Sequence, residues 1–184
     1  MPTKIDLRRE LRLARSRIPP AQRRRAAQRA ATHLARACRR WGARRVAVYL
    51  SFGAELDTAP LVAALRQAGC ALFVPRIVTG GAMRFVALGR LLRSNRFGIA
   101  EPPGGARAAR LDAIVLPLVA FDDSGRRLGM GGGYYDRLLS GTRPGRPRRV
   151  GYAYALQRVD AVPSEPHDAR LDAVVTEQGV RRFR

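Results

Sequence analysis

Lysine is almost missing from this chain. Of 35 basic residues only Lys4 is lysine; the other 34 are arginine. Acidic residues are also scarce, 14 in 184, which leaves a net charge of +21. Histidine occurs twice and cysteine twice, at Cys38 and Cys70. Neither cysteine has a partner at metal-ligand spacing, so no disulfide framework is expected, and a reducing, cytoplasmic setting is the default. No apolar run approaches the ~20 residues that span a bilayer. The N-terminus carries Lys4, Arg8 and Arg9 without the apolar core of a signal peptide, so no membrane partner is expected. No Ser/His/Asp or Cys/His constellation appears, which argues against covalent nucleophilic catalysis. No internal repeat is present.

What remains is a chain with 46% hydrophobic residues and enough length to bury a sizeable core. It reads as one domain over 1–184, and a monomer is expected. A helix is predicted over 3–17, with Thr3 as N-cap, Asp6 as its acidic partner and a loose apolar stripe of Ile5, Leu7, Leu11, Leu13 and Ile18. Pro19-Pro20 ends it, and an alanine-rich helix follows over 20–40. Strands are predicted over 45–50, 70–75, 83–87, 111–121, 150–154 and 171–176. Between the first two lies a helix that Asp57 or Thr58 caps and Gly69 closes. A short helix or turn is predicted over 155–159. This alternation predicts a three-layer α/β/α fold, Rossmann-like, with a predominantly parallel sheet and helices on both faces.

One stretch concentrates chemistry: Arg126-Arg127-Leu128-Gly129-Met130-Gly131-Gly132-Gly133-Tyr134-Tyr135-Asp136-Arg137. Glycines let backbone N–H groups converge, and a helix start adds a field that favours anions. Two arginines precede the loop, and Asp136 lies where a cation is within reach. The pattern is neither the dinucleotide fingerprint nor a Walker loop: Tyr134 stands at the third-glycine position, and no Gly-Lys-Ser/Thr follows. The bland alternative is a helix-entry turn that needs positive φ. Lys4 and Arg8, four residues apart, share a helix face. Spacing alone makes them solvated cations; a second phosphate clamp is the sharper reading. Asp57 has a capping role, which leaves Glu55 as the better functional acid at a strand end. The basic N-terminus (15 basic and 2 acidic residues over 1–45) admits a further alternative, a nucleic-acid-associated protein.

Taken in order, the motifs resemble the 5-formyltetrahydrofolate cyclo-ligase family. They run Lys4-x-x-Leu7-Arg8, Glu55-Leu56-Asp57-Thr58, Pro75-Arg76, Phe97-Gly98-Ile99-x-Glu101-Pro102 and Pro117-x-x-Ala120-Phe121-Asp122. Arg127 through Asp136 follows, then Gln157 and His167-Asp168. The fold implied is like that of the sugar-phosphate isomerase and CoA-transferase-like superfamily. Another enzyme on that scaffold is the remaining alternative. The activity implied is ATP- and Mg2+-dependent closure of 5-formyltetrahydrofolate to 5,10-methenyltetrahydrofolate.

The resemblance also implies roles. Lys4, Arg8, Arg127, Leu128, Gly129, Met130, Gly131, Gly132, Gly133, Tyr134 and Tyr135 would bind ATP. Leu50 and Glu55, with Met130 to Tyr134, would bind the folate. Asp136 and Asp168 would hold Mg2+, and Arg127, Tyr134 and Asp136 would carry catalysis. Phe85, Phe97, Tyr134 and Tyr152 are candidates to contact the pterin; His167 has no ligand role. Met130 departs from the family pattern, in which arginine is common there. Either Arg126, Arg137 or Arg143 then supplies the missing guanidinium, or ATP binding is weaker.

Overall fold

The structure, a computed structural model, describes all residues except 1, 2, 79–81, 90, 95–97, 99, 141, 143, 144, 166, 167 and 184. Helix α1 (Lys4–Ser16) starts at a capping box. Asp6 N donates to Thr3 Oγ1 at 3.1 Å, and Thr3 N donates to Asp6 Oδ2 at 3.3 Å. The expected apolar stripe is narrower than its composition suggested. Leu7 and Leu11 are buried, but Ile5 and Leu13 are exposed, and Arg15 takes the third place on the buried face. Spacing decides this: 7, 11 and 15 repeat every four residues and share one side.

Helix α2 (Pro20–Arg40) buries five small side chains, Ala26, Ala27, Ala30, Ala31 and Ala37, with Leu34 and Cys38. Its arginines line the opposite side, so much of the chain's charge is a solvated helix face. Helix α3 (Ala59–Gln67) packs beside it on the same sheet face. Asp57 caps α3, accepting from Ala59 N at 2.9 Å.

The main sheet has seven strands. In chain order they are β1 (Arg45–Ala47), β2 (Ala71–Ile77), β3 (Met83–Ala87), β6 (Ala113–Leu116), β9 (Arg148–Tyr152), β10 (Ala173–Thr176) and β11 (Gly179–Arg182). Their spatial order is β11-β10-β9-β6-β1-β2-β3. The five inner strands are mutually parallel, while β3 and β11 add antiparallel edges. Two short ribbons complete the set: β4 (Arg93–Ser94) with β5 (Ala100–Glu101), and β7 (Ala120–Phe121) with β8 (Arg127–Leu128).

Side chains alternate between two cores, as the strand period of two requires. Val46, Val115, Val150 and Val175 face α2 and α3. Ala47, Ile114, Leu116 and Val174 face the other way, under Phe121, Leu171 and the short helix α4 (Tyr134–Leu139). Helices therefore flank both faces, though unequally. A third cluster joins Leu7 and Leu11 of α1 to Val119, Ala120 and Leu128.

The predicted strand over 111–121 is broken. Pro117 has no N–H for the ladder, and the chain leaves the sheet there. Gln157 Nε2, on the 3-10 turn Ala155–Gln157, takes the Leu118 and Val119 carbonyls at 2.7 and 3.0 Å. The chain then turns back as the β7–β8 hairpin. Strand β1 is shorter than predicted, although Val48 N still donates to Phe73 O. The sequence reading gives no strand at β4, β5, β8 or β11. The predicted turn at Thr79-Gly80-Gly81 lies outside the described residues.

Candidate active site

A cavity of about 890 Å³ opens beyond the C-terminal ends of β1, β2 and β6. Open α/β sheets bind their ligands at this edge. The residues to which the resemblance assigns ATP, metal and catalytic roles line it, as do Leu50 and Glu55 for the folate: Lys4, Arg8, Leu50, Glu55, Arg127 through Asp136, and Asp168. The chain's far N-terminus and its C-terminal third thus meet at one hollow.

The hairpin delivers the glycine loop. Strand β8 ends at Leu128, and residues 129–133 lead into α4. Gly131 (φ 99°) and Gly133 (φ 63°) lie in the left-handed region that favours glycine. A Cβ at Gly133 would meet Arg137 Nη1 at 2.7 Å, so a side chain there would push that guanidinium off its present place against the loop. Helix α4 is just six residues long, so its dipole supplies less than the sequence suggested. The weight of any anion site falls on the loop's backbone and its cations.

Two guanidiniums brace the loop. Arg8 Nε donates to Gly129 O at 2.9 Å, and Arg137 Nη2 donates to Gly132 O at 2.9 Å. Arg137 also lies over the Tyr134 ring, 5.1 Å from its centre. Arg127 is buried, 4% exposed in its side chain, and pairs with Asp136 through Nη2–Oδ1 at 2.6 Å. The same Asp136 oxygen accepts from Ala169 N at 3.2 Å, which ties α4 to the loop carrying Asp168. Lys4 Nζ reaches Glu165 at 2.8 Å and Asp168 at 3.3 Å. The hydrogen bond that Lys4 Nζ donates to Glu165 raises the Lys4 pKa above its ordinary value, with the Asp168 charge adding to it. Cations and carboxylates therefore alternate across this part of the cavity.

The remaining lining is more apolar: Tyr49, Leu50, Phe52, Pro75, Ile77, Met83 and Pro117, with Glu55 and Glu101. Glu55 is not free of structural work, contrary to the sequence reading. Its Oε2 accepts from Phe52 N at 2.9 Å and shapes the loop after β1. Burial still dominates and pushes its pKa above the usual carboxylate range.

Two expected ring contacts are corrected. Phe85 and Tyr152 are core residues, and Tyr152 Oη donates to Ala27 O at 3.3 Å, away from the cavity. Tyr134 does line it; Phe97 and His167 lie outside the described residues. Met130 is 52% exposed on the rim. Of the arginines suggested to replace its missing guanidinium, Arg137 lines the cavity. Arg126 instead lines a smaller neighbouring hollow of about 200 Å³, and Arg143 lies outside the described residues. Sequence reasoning missed Phe52, Ile77, Met83 and Glu165. Glu165 had one available signal, its position three residues before Asp168 in the same loop.

Fold and site together define a class: a mixed-sheet α/β enzyme whose glycine loop, clustered cations and carboxylates meet at the strand ends. The chain belongs to the 5-formyltetrahydrofolate cyclo-ligase family, whose model matches residues 1–177. It is 39% identical over 174 residues to 5-formyltetrahydrofolate cyclo-ligase of Escherichia coli K12, covering 90% of this chain and 96% of that one. The Haemophilus influenzae enzyme of the same name is 32% identical over 175 residues, covering 90% and 93%. An NMR structure of 5,10-methenyltetrahydrofolate synthetase from Aquifex aeolicus matches with a TM-score of 0.85 and 33% identity, over 98% of this chain and 93% of that one. A synthetase structure from Mycoplasma pneumoniae shares the fold, with a TM-score of 0.75 at 21% identity. These relatives give no support to the nucleic-acid alternative. Among the described residues, no helix is long and apolar enough to cross a membrane.

Proposed function

We propose that the chain is a 5-formyltetrahydrofolate cyclo-ligase that uses ATP to form 5,10-methenyltetrahydrofolate, releasing ADP and phosphate. One observation carries this reading: the braced glycine loop with Lys4 and Arg8, and the Leu50–Glu55 pocket, line the same cavity. A phosphate donor and a folate therefore have room to meet in it.

The formyl oxygen attacks the γ-phosphorus, the bond to ADP breaks, and an imidate phosphate forms. N10 then attacks the former formyl carbon and loses its proton, and phosphate leaves with the old formyl oxygen. Such chemistry asks for alignment and charge neutralisation rather than a protein nucleophile. Lys4 and Arg8 draw the triphosphate toward the loop of Gly129, Met130, Gly131, Gly132 and Gly133. Arg127, held rigid in the interior, faces the charge that develops on the transferred group. Leu128 and Tyr135 wall the nucleotide in, and Tyr134 faces the formyl group. Glu55 accepts hydrogen bonds from pterin N–H groups, with Leu50 against the ring.

Asp136 and Asp168 would hold Mg2+: both are carboxylates lining the cavity, and each would exchange its present cation, Arg127 or Lys4, for the metal, leaving further positions for phosphate oxygens and water. The metal would neutralise phosphate charge and orient the γ-phosphoryl group. A reducing cytoplasm suits the two free thiols, and burial pushes the pKa of Cys38 up to about 12, keeping it inert. We take the working unit to be a monomer.

The test is direct. Purified protein with Mg-ATP and 5-formyltetrahydrofolate should develop the absorbance of the methenyl chromophore, and omission of ATP should abolish it. Absence of that product in the complete mixture overturns the reading.

A further inference from the structure

The smaller hollow, of about 200 Å³, lies against the main cavity. The two share Arg127, Glu165 and Asp168, which therefore form the partition between them. Arg126, Arg170 and Ser164 complete a lining with a single apolar residue. Three guanidiniums thus face two carboxylates. Both carboxylates are already engaged by Lys4, which lines only the larger cavity, at 2.8 and 3.3 Å. Asp168 Oδ2 also accepts from Glu165 N at 2.8 Å. The balance left to the hollow is positive.

Two of the guanidiniums keep hydrogen-bonding capacity in reserve. Arg127 uses Nη2 on Asp136, but its Nε is buried and has no partner among the described residues. Arg126 Nε is in the same position. The Arg127 side chain is 4% exposed, so bulk water does not satisfy it. Buried donors of this kind are rare in folded proteins and mark the place of a water or an ion. Burial is graded along the three arginines: Arg127 is buried, Arg126 half-buried and Arg170 exposed. They lead from the reacting centre to the surface.

Size narrows the ligand. Drug-sized molecules occupy sites of roughly 300–1,000 Å³. A hollow of about 200 Å³ excludes a nucleotide or a pterin, yet at ~30 Å³ per water it has room for a tetrahedral oxyanion and part of its hydration. The reaction supplies such an ion. Phosphate departs beside Arg127 with the old formyl oxygen, while ADP and the methenyl product still share the main cavity.

We propose that the smaller hollow is a binding site for the inorganic phosphate that the reaction releases, entered past Arg127 and held by Arg126 and Arg170. This rests on the cyclo-ligase reading of the main cavity. Guanidiniums suit the task because their planar fork matches two phosphate oxygens at once. Phosphate moved behind the partition is also removed from the methenyl carbon, which it would otherwise attack in reverse.

The test is calorimetric titration of inorganic phosphate into the protein saturated with Mg2+ and a non-hydrolysable ATP analogue. The analogue fills the γ-phosphate position, so phosphate cannot bind there. Wild type should bind phosphate under these conditions. Arg126→Met and Arg170→Ala should each weaken that binding about tenfold, the scale of one charge-assisted hydrogen bond. Arg170 is exposed, so its variant gives the readout should Arg126→Met not fold. Arg39→Ala, on the exposed side of α2, removes the same charge from the general field and should change the affinity less than about twofold. In turnover, phosphate should inhibit non-competitively against ATP. No phosphate binding beside the analogue, or inhibition competitive with ATP, overturns the proposal and returns phosphate to the γ-position of the main cavity. Equal weakening by Arg39→Ala overturns it as well, since net charge then accounts for the effect. Absence of methenyl product from the wild-type assay removes the cyclo-ligase reading instead, while the calorimetry still reports on the hollow.

Discussion

Met130 and Asp136 bracket the glycine loop, and each carries a prediction. Met130 is exposed on the cavity rim, so a longer, charged side chain has room there. Arg137, itself exposed, already braces the loop, bound to Gly132 O and over Tyr134. An added guanidinium would therefore supplement it rather than compete for its place. Met130→Arg should lower the KM for ATP by roughly tenfold, the scale of one charge-assisted hydrogen bond, with kcat changed little. An unchanged KM would show that position 130 does not face phosphate. Asp136 is different because its carboxylate has two structural partners, Arg127 and Ala169 N. Asparagine keeps an acceptor oxygen for both, removes the charge and puts an amide donor in place of the other carboxylate oxygen. Asp136→Asn should thus lower kcat at least ~100-fold, comparable to losing one transition-state contact. Its loss of stability should be about 3 kcal/mol, or ~6–12 °C in Tm, because Arg127 is left buried without its counter-charge. An unchanged kcat for Asp136→Asn, assayed below its Tm, would reduce Asp136 to a link between α4 and the 169 region.

At the level of elements, α1 shows what a sequence discloses and what it withholds. Thr3 and Asp6 read as a capping box, and the box is present. The boundaries of α2 and β3 were equally readable, since proline, alanine repetition and β-branched runs act locally. The break at Pro117 was local too, yet the apolar run around it outweighed one proline in the reading. Leu118 and Val119 are as apolar as a strand requires, but their carbonyls are satisfied by Gln157, 39 and 38 residues away. Strand β11 was missed because its pattern is weak: Val180, Arg181 and Arg182 are exposed, and only pairing with β10 makes them a strand. The glycine loop and its acids were legible as chemistry, whereas Arg15 was invisible as one arginine among 34. Its burial depends on the Leu7–Leu11 face docking against Val119 and Leu128. Because α1 also holds Lys4 and Arg8, its cap has a functional readout. Thr3→Ala should destabilise α1 by about 1 kcal/mol. The KM for ATP should rise severalfold while the affinity for folate alone changes less. Equal losses of both affinities would mean that α1 docks as one rigid unit, insensitive to its cap.

Across the whole molecule, charge and site are arranged on different principles. Inside the cavity two of the four lining cations have an acid, Arg127 with Asp136 and Lys4 with Glu165 and Asp168, while Arg8 and Arg137 hold carbonyls of the glycine loop. Outside it, α2 alone exposes a row of arginines that have no acidic residue in their own helix. The net charge of +21 is therefore a surface property, and at that scale it acts through its field. Folates carry an anionic tail whose charge grows with each added glutamate. A positive surface should concentrate the longer-tailed forms near the protein and raise their encounter rate. The field is screened over about 10 Å at 0.1 M salt, so the effect must fade with ionic strength. The predicted outcome is that kcat/KM for a polyglutamated 5-formyltetrahydrofolate falls severalfold between low and physiological salt. For the monoglutamate it should fall much less, and kcat for both should stay level because the chemistry proceeds among charges already paired in the cavity. Stopped-flow or steady-state assays over a salt series measure this. A flat kcat/KM for the polyglutamated substrate would mean that the arginine surface plays no part in its capture.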